Sequence, residues 1–116
     1  MGYPNWTRKS APRLDGAWCP DVADLTTLSG NLTLEVSDAT VLPIDPGGAG
    51  RTITLPAEAD AKGRLFIIIN RADGAEDLTV KNDGGTAVAT VSQNEAAILI
   101  CDGSVWRAVV LKVGAT

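Results

Sequence analysis

The chain contains no histidine, which removes the commonest general base and metal ligand at neutral pH. Catalysis through a Ser-His-Asp or Cys-His arrangement is therefore excluded. Aromatic residues make up only 4 % of the 116 residues, so a core must come from Val, Ile, Leu and Ala, and those side chains favour sheet packing. The two cysteines, Cys19 and Cys101, are far apart and match no metal-binding spacing; they read as buried or incidental thiols. No apolar run approaches the roughly 18 residues a membrane helix needs, and the segment from Met1 lacks a signal-peptide core. The expectation is a soluble protein made in the cytoplasm. Acidic residues outnumber basic ones by 14 to 10, which argues against a phosphate-backbone partner.

What the chain does have is turn chemistry. Twelve glycines and six prolines fall between apolar runs. From Asn31 onward those runs are five to seven residues long, and they predict strands at 31–36, 40–44, 51–55, 64–70, 77–81, 87–91, 95–101 and 105–110. Asp73-Gly74, Asn82-Asp83-Gly84-Gly85 and Asp102-Gly103 supply the positive-φ positions of tight β connections, so the last three strands are expected to form a meander. The fold expected is all-β: a single-domain sandwich, roll or barrel of about eight short strands over 31–116, preceded by an irregular N-terminal arm over 1–30. Within that arm Asp21 can cap a short helix running to Leu28, with Val22, Leu25 and Leu28 on one face and Gly30 as its stop.

Candidate chemistry is sparse. Glu58 with Asp60 and Glu76 with Asp77 are nearby carboxylate pairs, but both lie in turn segments, where acids usually keep a loop solvated. The glycine-rich run Asp45 to Arg51 lacks the Lys-Ser or Lys-Thr of a phosphate-binding loop, and Arg51-Thr52-Ile53-Thr54-Leu55 continues as a strand. Asp38, Asp45, Asp73, Asp77 and Asp83 do not have the alternating spacing of a calcium loop. The expectation is no enzyme, no metal and no cofactor.

Two features point to partners. Leu65 to Ile69 and Ala96 to Cys101 are apolar at odd and even positions, the signature of strands covered on both faces. A two-layer domain covers only one face of each sheet, so the other needs the arm or a neighbouring subunit. Leu65, Phe66, Ile67, Ile69, Ile98, Ile100 and Trp106 are thus the candidate core and oligomer residues. The second feature is the arm, which carries Tyr3, Trp6 and Trp18 together with Arg8, Lys9 and Arg13 against Asp15, while the remainder has seven bases and thirteen acids. Those six aromatic and basic residues could equally fold back on the chain's own sheet or anchor it to a partner.

The segments Thr52 to Ala57, Ala61 to Asn70, Leu78-Thr79-Val80, Gln93-Asn94-Glu95 and Cys101-Asp102-Gly103-Ser104-Val105-Trp106 together resemble a β module of tailed-bacteriophage virion proteins, over about residues 31 to 112. The resemblance implies a β-rich, usually trimeric component of the virion exterior, found in head decoration (cement) proteins and in tail-fibre or spike tips. The chain's length suits a decoration subunit that stabilises the capsid, with the major capsid protein as partner and the arm reaching onto the lattice. The alternative is a trimeric tail-fibre or spike module for receptor or glycan binding. Neither a nucleic acid nor a membrane is an expected partner.

Overall fold

The structure is a computed structural model that describes residues 20–112. Nine strands make two sheets: β1 (Thr26–Thr27), β2 (Leu32–Thr33), β3 (Val41–Asp45), β4 (Arg51–Thr54), β5 (Leu65–Asn70), β6 (Leu78–Lys81), β7 (Ala87–Val91), β8 (Glu95–Cys101) and β9 (Trp106–Lys112), with one 3-10 turn at Glu58–Asp60. The all-β class expected from the turn and strand pattern is present. A five-stranded sheet has the order β1-β3-β5-β8-β9, and a four-stranded sheet has the order β2-β4-β6-β7.

The first six strands alternate between the sheets, and within each sheet they pair in parallel, β1 with β3, β3 with β5, β2 with β4 and β4 with β6. The chain therefore winds like a short solenoid, laying one strand in each sheet per turn. It then reverses. Strand β7 returns antiparallel to β6, β8 runs antiparallel beside β5, and β9 runs antiparallel beside β8. Parallel pairing here needs no helical crossover, because each connection passes through the opposite sheet.

Four expectations change. No helix spans Asp21 to Leu28: the Val41 N–H donates to the Asp21 carbonyl, the Ala23 N–H donates to the Val41 carbonyl, and Thr26 and Thr27 pair with Ile44 and Asp45. An edge of β3 with free backbone groups outcompetes two turns of helix, and Thr26 and Thr27 are β-branched. The β domain thus begins before residue 31, and buried Leu28 joins its core. The strand expected over Asn31 to Val36 shrinks to two residues. The last three strands do not form a meander, since β7 lies in the four-stranded sheet and β8 and β9 in the other. Finally, Asp73-Gly74 supplies no positive-φ position and no tight connection within one sheet; it lies in the connection from β5 to β6, which changes sheets.

The hairpin signals that do hold are local. Asn82 receives the Thr86 N–H on its side-chain oxygen at 2.9 Å and closes β6–β7. The Asp102 carboxylate takes the backbone N–H groups of Val105 and Ser104, both at 2.9 Å, and these bonds hold its pKa below the ordinary carboxylate value. The turn from β8 to β9 therefore keeps its charge into acid. Gly47, at φ +82°, makes the crossover from β3 to β4; a Cβ there would run into the Leu28 carbonyl.

Between the sheets, Leu34, Ile44, Ile53, Leu55, Phe66, Ile68, Leu78, Val80, Val91 and Leu99 form one cluster. The Phe66 and Trp106 rings lie 5.9 Å apart, centroid to centroid, and the Trp106 indole N–H donates to the Pro56 carbonyl at 3.0 Å. Arg64 closes the core above them. Its guanidinium carbon sits 4.2 Å from the Phe66 ring centre while its N–H groups donate to the Val36, Asp38 and Leu65 carbonyls and the Thr40 hydroxyl. One side chain thus ties the 36–40 loop to the start of β5. Because lysine cannot reproduce a planar fork of donors, Arg64→Lys is expected to lower stability by about 1–2 kcal/mol in urea unfolding, with the fold retained.

Candidate functional site

The candidate site is the outer face of the five-stranded sheet. Alternation along β5 sends Phe66, Ile68 and Asn70 inward and Leu65, Ile67 and Ile69 outward. Register carries the outward set across the sheet, because directly paired residues point to the same side. Val41 pairs with Ile67 and Pro43 with Ile69; Leu65, Ile67 and Ile69 pair with Ile100, Ile98 and Ala96; and these in turn pair with Arg107, Val109 and Leu111. Four adjacent strands therefore present an almost unbroken apolar surface, interrupted at its margin by Arg107. Nothing in the described chain lies over its far side: Ile100 is 46 % exposed, Val109 56 % and Leu111 52 %.

A sheet face in water normally carries polar side chains at these positions. Here the sequence places isoleucine, leucine and valine instead, at the cost of exposing apolar surface. Of the two covers expected for β5 and β8, the second sheet supplies one; the other, the arm or a neighbouring subunit, lies outside the described residues. The candidate residues divide by this parity. Phe66 and Trp106 are core, whereas Leu65, Ile67, Ile69, Ile98 and Ile100 belong to the open face.

Sequence reasoning missed Val41, Pro43, Val109 and Leu111. The signal for the last two was present: after Arg107 the alternate positions 109 and 111 are both large and apolar. It was obscured because the run was read as ending at Val110. Among the described residues strand β9 is also one edge of the sheet, and it carries Arg107 and Lys112. Charged residues at such an edge discourage edge-to-edge pairing, so the apolar face rather than the strand edge is the better surface for association.

A second feature is an open cleft of about 460 Å³ between β7 and β9, lined by Glu58, Asn82, Thr86, Val88, Trp106 and Arg107 among others. The indole of Trp106 is 6 % exposed there, stacked on Phe66 with its N–H already engaged, so it offers little surface to a ligand. Glu58 and Asp60 sit in the 3-10 turn, and Glu76 and Asp77 in the crossover between β5 and β6. Among the described residues no three Cys, Asp or Glu side chains cluster to hold a metal ion, and no helix is long and apolar enough to cross a membrane. Cys101 is buried, with its thiol 3.4 Å from the Glu58 carbonyl.

The arm residues Tyr3, Trp6, Arg8, Lys9, Arg13 and Trp18 lie outside the described residues, as does Cys19. Comparisons with protein-family models, with curated proteins and with solved structures return no match to this chain.

Proposed function

We propose that this protein is a non-catalytic structural subunit of a bacteriophage virion, which assembles into a homotrimer through the outer face of its five-stranded sheet. In that role it decorates and stabilises the capsid exterior, and its N-terminal arm reaches the major capsid protein. The observation that carries the proposal is the apolar face formed by Val41, Pro43, Leu65, Ile67, Ile69, Ile98, Ile100, Val109 and Leu111. The virion assignment rests on the sequence resemblance over residues 31 to 112.

Physically, three flat faces turned toward a common axis close a prism with an apolar interior. Each half-buried Ile, Leu or Val would then lose the water that it meets in the single chain. Such a closed arrangement uses the same patch on every copy and leaves no face exposed. Decoration follows from repetition, since one weak capsid contact per arm becomes strong when three arms act together.

The assembly part is tested by sedimentation velocity on the full chain and on Ile98→Arg. Ile98 sits at the centre of the face, so a guanidinium there stays solvated in the single chain but would be buried unpaired in the assembly. The variant should fold with unchanged far-ultraviolet circular dichroism and dissociate at least about 100-fold more readily. A wild-type chain that is monomeric at tens of micromolar would overturn this reading. The virion part is tested separately, by adding the protein to decoration-free heads and imaging them by electron cryo-microscopy; a head surface without added density sinks it.

A further inference from the structure

Among the described residues the five-stranded sheet has two edges, β1 and β9, and they carry opposite charge. Hydrogen bonds fix the chain along β3 from the Asp21 carbonyl to the Leu28 N–H, so the β1 edge is the stretch Asp21 to Leu28. It contains Asp21 and Asp24 and no lysine or arginine. The β9 edge, Trp106 to Lys112, contains Arg107 and Lys112 and no acid. All four charged side chains are exposed, and so are the apolar Val22 and Leu25 on one edge and Val110 and Leu111 on the other.

The two edges also run the same way and stand at the same height. Strand β1 is parallel to β3 and β3 to β5, while β9 is antiparallel to β8 and β8 to β5, so β1 and β9 point in one direction. Val22 bridges to Val41, whose row continues through Ile67 and Ile98 to Val109. Asp21 is therefore level with Ala108, one step from Arg107. Thr26 pairs with Ile44, one residue past the row that joins Pro43 to Leu111, and so stands level with Lys112. Asp24 lies about two steps from that level. A step along a strand is about 3.3 Å, a distance that long basic side chains bridge. The Asp102 carboxylate of the same chain also lies near Arg107, but it is already held by the Ser104 and Val105 N–H groups.

We infer that the assembly closes head to tail, the β9 edge of each copy lying against the β1 edge of the next, with Arg107 and Lys112 paired to Asp21 and Asp24. This rests on the assembly reading above and gives that interface its direction and its polar contacts. Three identical faces turned toward an axis along the strands bring unlike edges together at every corner, so the same ion pairs form three times. Two β9 edges set side by side would instead oppose base to base and repel. The charge that keeps like edges apart thus draws unlike edges together.

The test is sedimentation velocity on the full chain. Arg107→Glu with Lys112→Glu, and separately Asp21→Lys with Asp24→Lys, should each raise the dissociation constant by about 10- to 100-fold, since like charges then face each other. All four substitutions in one chain restore opposite signs and should return assembly to within about threefold of wild type. The losses should shrink in about 1 M salt, where the screening length is about 3 Å. Far-ultraviolet circular dichroism checks each fold, and the milder Arg107→Gln and Asp21→Asn should show losses that do not add. A wild-type trimer that the charge reversals leave intact, that the quadruple variant fails to restore, or in which the mild losses add in full overturns head-to-tail closure. Each of those results leaves the apolar face standing, because Ile98→Arg tests it separately. A monomeric wild type removes both.

Discussion

Replacement of Asn70 by leucine is expected to destabilise the protein by about 2–5 kcal/mol, a large part of what a domain this size possesses. Asn70 is the one polar residue buried among the described residues, at 2 % exposure, and it ends β5 on the inward side. Its amide nitrogen donates to the Glu76 carbonyl at 2.9 Å and the Val91 carbonyl at 2.8 Å, while its oxygen accepts the Ala72 N–H at 2.8 Å. One side chain thus pins the start and the end of the β5–β6 crossover and fastens both to β7 in the other sheet. Leucine preserves volume but strips partners from two carbonyls and one N–H that water reaches poorly, and each orphaned group costs about 1–3 kcal/mol. Urea unfolding at pH 7 measures the loss; an effect below 1 kcal/mol would show that the crossover is held by something else. Asn70→Asp adds a sign. A buried carboxylate facing two carbonyls has its pKa raised, so the unfolded chain loses its proton first. The variant's deficit relative to wild type should therefore grow as pH rises through the ordinary carboxylate range and shrink in acid.

The second large effect is expected at Trp106. Truncation to alanine removes the ring that packs on Phe66 and leaves the Pro56 carbonyl without its indole donor. Large-to-small changes of this kind cost about 3–5 kcal/mol. The space vacated joins the cleft between β7 and β9, so water enters beside Phe66. Trp106→Phe keeps most of the ring and loses only the hydrogen bond, for about 1–2 kcal/mol. Near-ultraviolet circular dichroism with chemical unfolding separates the two; equal losses would mean that the indole N–H, not the packing, is what matters.

Strand positions from β3 to β9 were legible in the sequence because alternation and glycine-rich turns are local signals. Topology was not, and the reason lies in particular residues. Asn82 to Thr86 and Asp102 to Val105 close true hairpins, and the same chemistry at Asp73-Gly74 suggested another tight connection. Nothing in a Gly-containing connection distinguishes a reversal within one sheet from a passage to the other. The difference is made far away, by Asn70 reaching Val91 and by Ile53 lying against Val80. Thr26 and Thr27 failed for a related reason: their helical alternative is set by neighbours in sequence, whereas their strand is set by β3, a partner in space. The candidate face was half visible. The doubly apolar character of β5 and β8 announced that a second cover was needed, yet only register shows that Val41, Pro43, Val109 and Leu111 extend the same surface.

The alternation of the first six strands between two sheets also bears on how the chain finds its fold. No two consecutive strands among β1 to β6 pair with each other, so each pairing within that set must close a long loop before any hydrogen bond rewards it. The hairpins β6–β7 and β8–β9 are the two connections that can form locally. They lie at the C-terminal side, and they supply β6 as the template for β4 and, through β8, the template for β5. Folding is thus expected to begin at these two hairpins, with the solenoid winding backward onto strands already paired. A chain emerging from the ribosome would hold β5, and β3 and β1 beyond it, without their β8 template until Glu95 to Cys101 have been added.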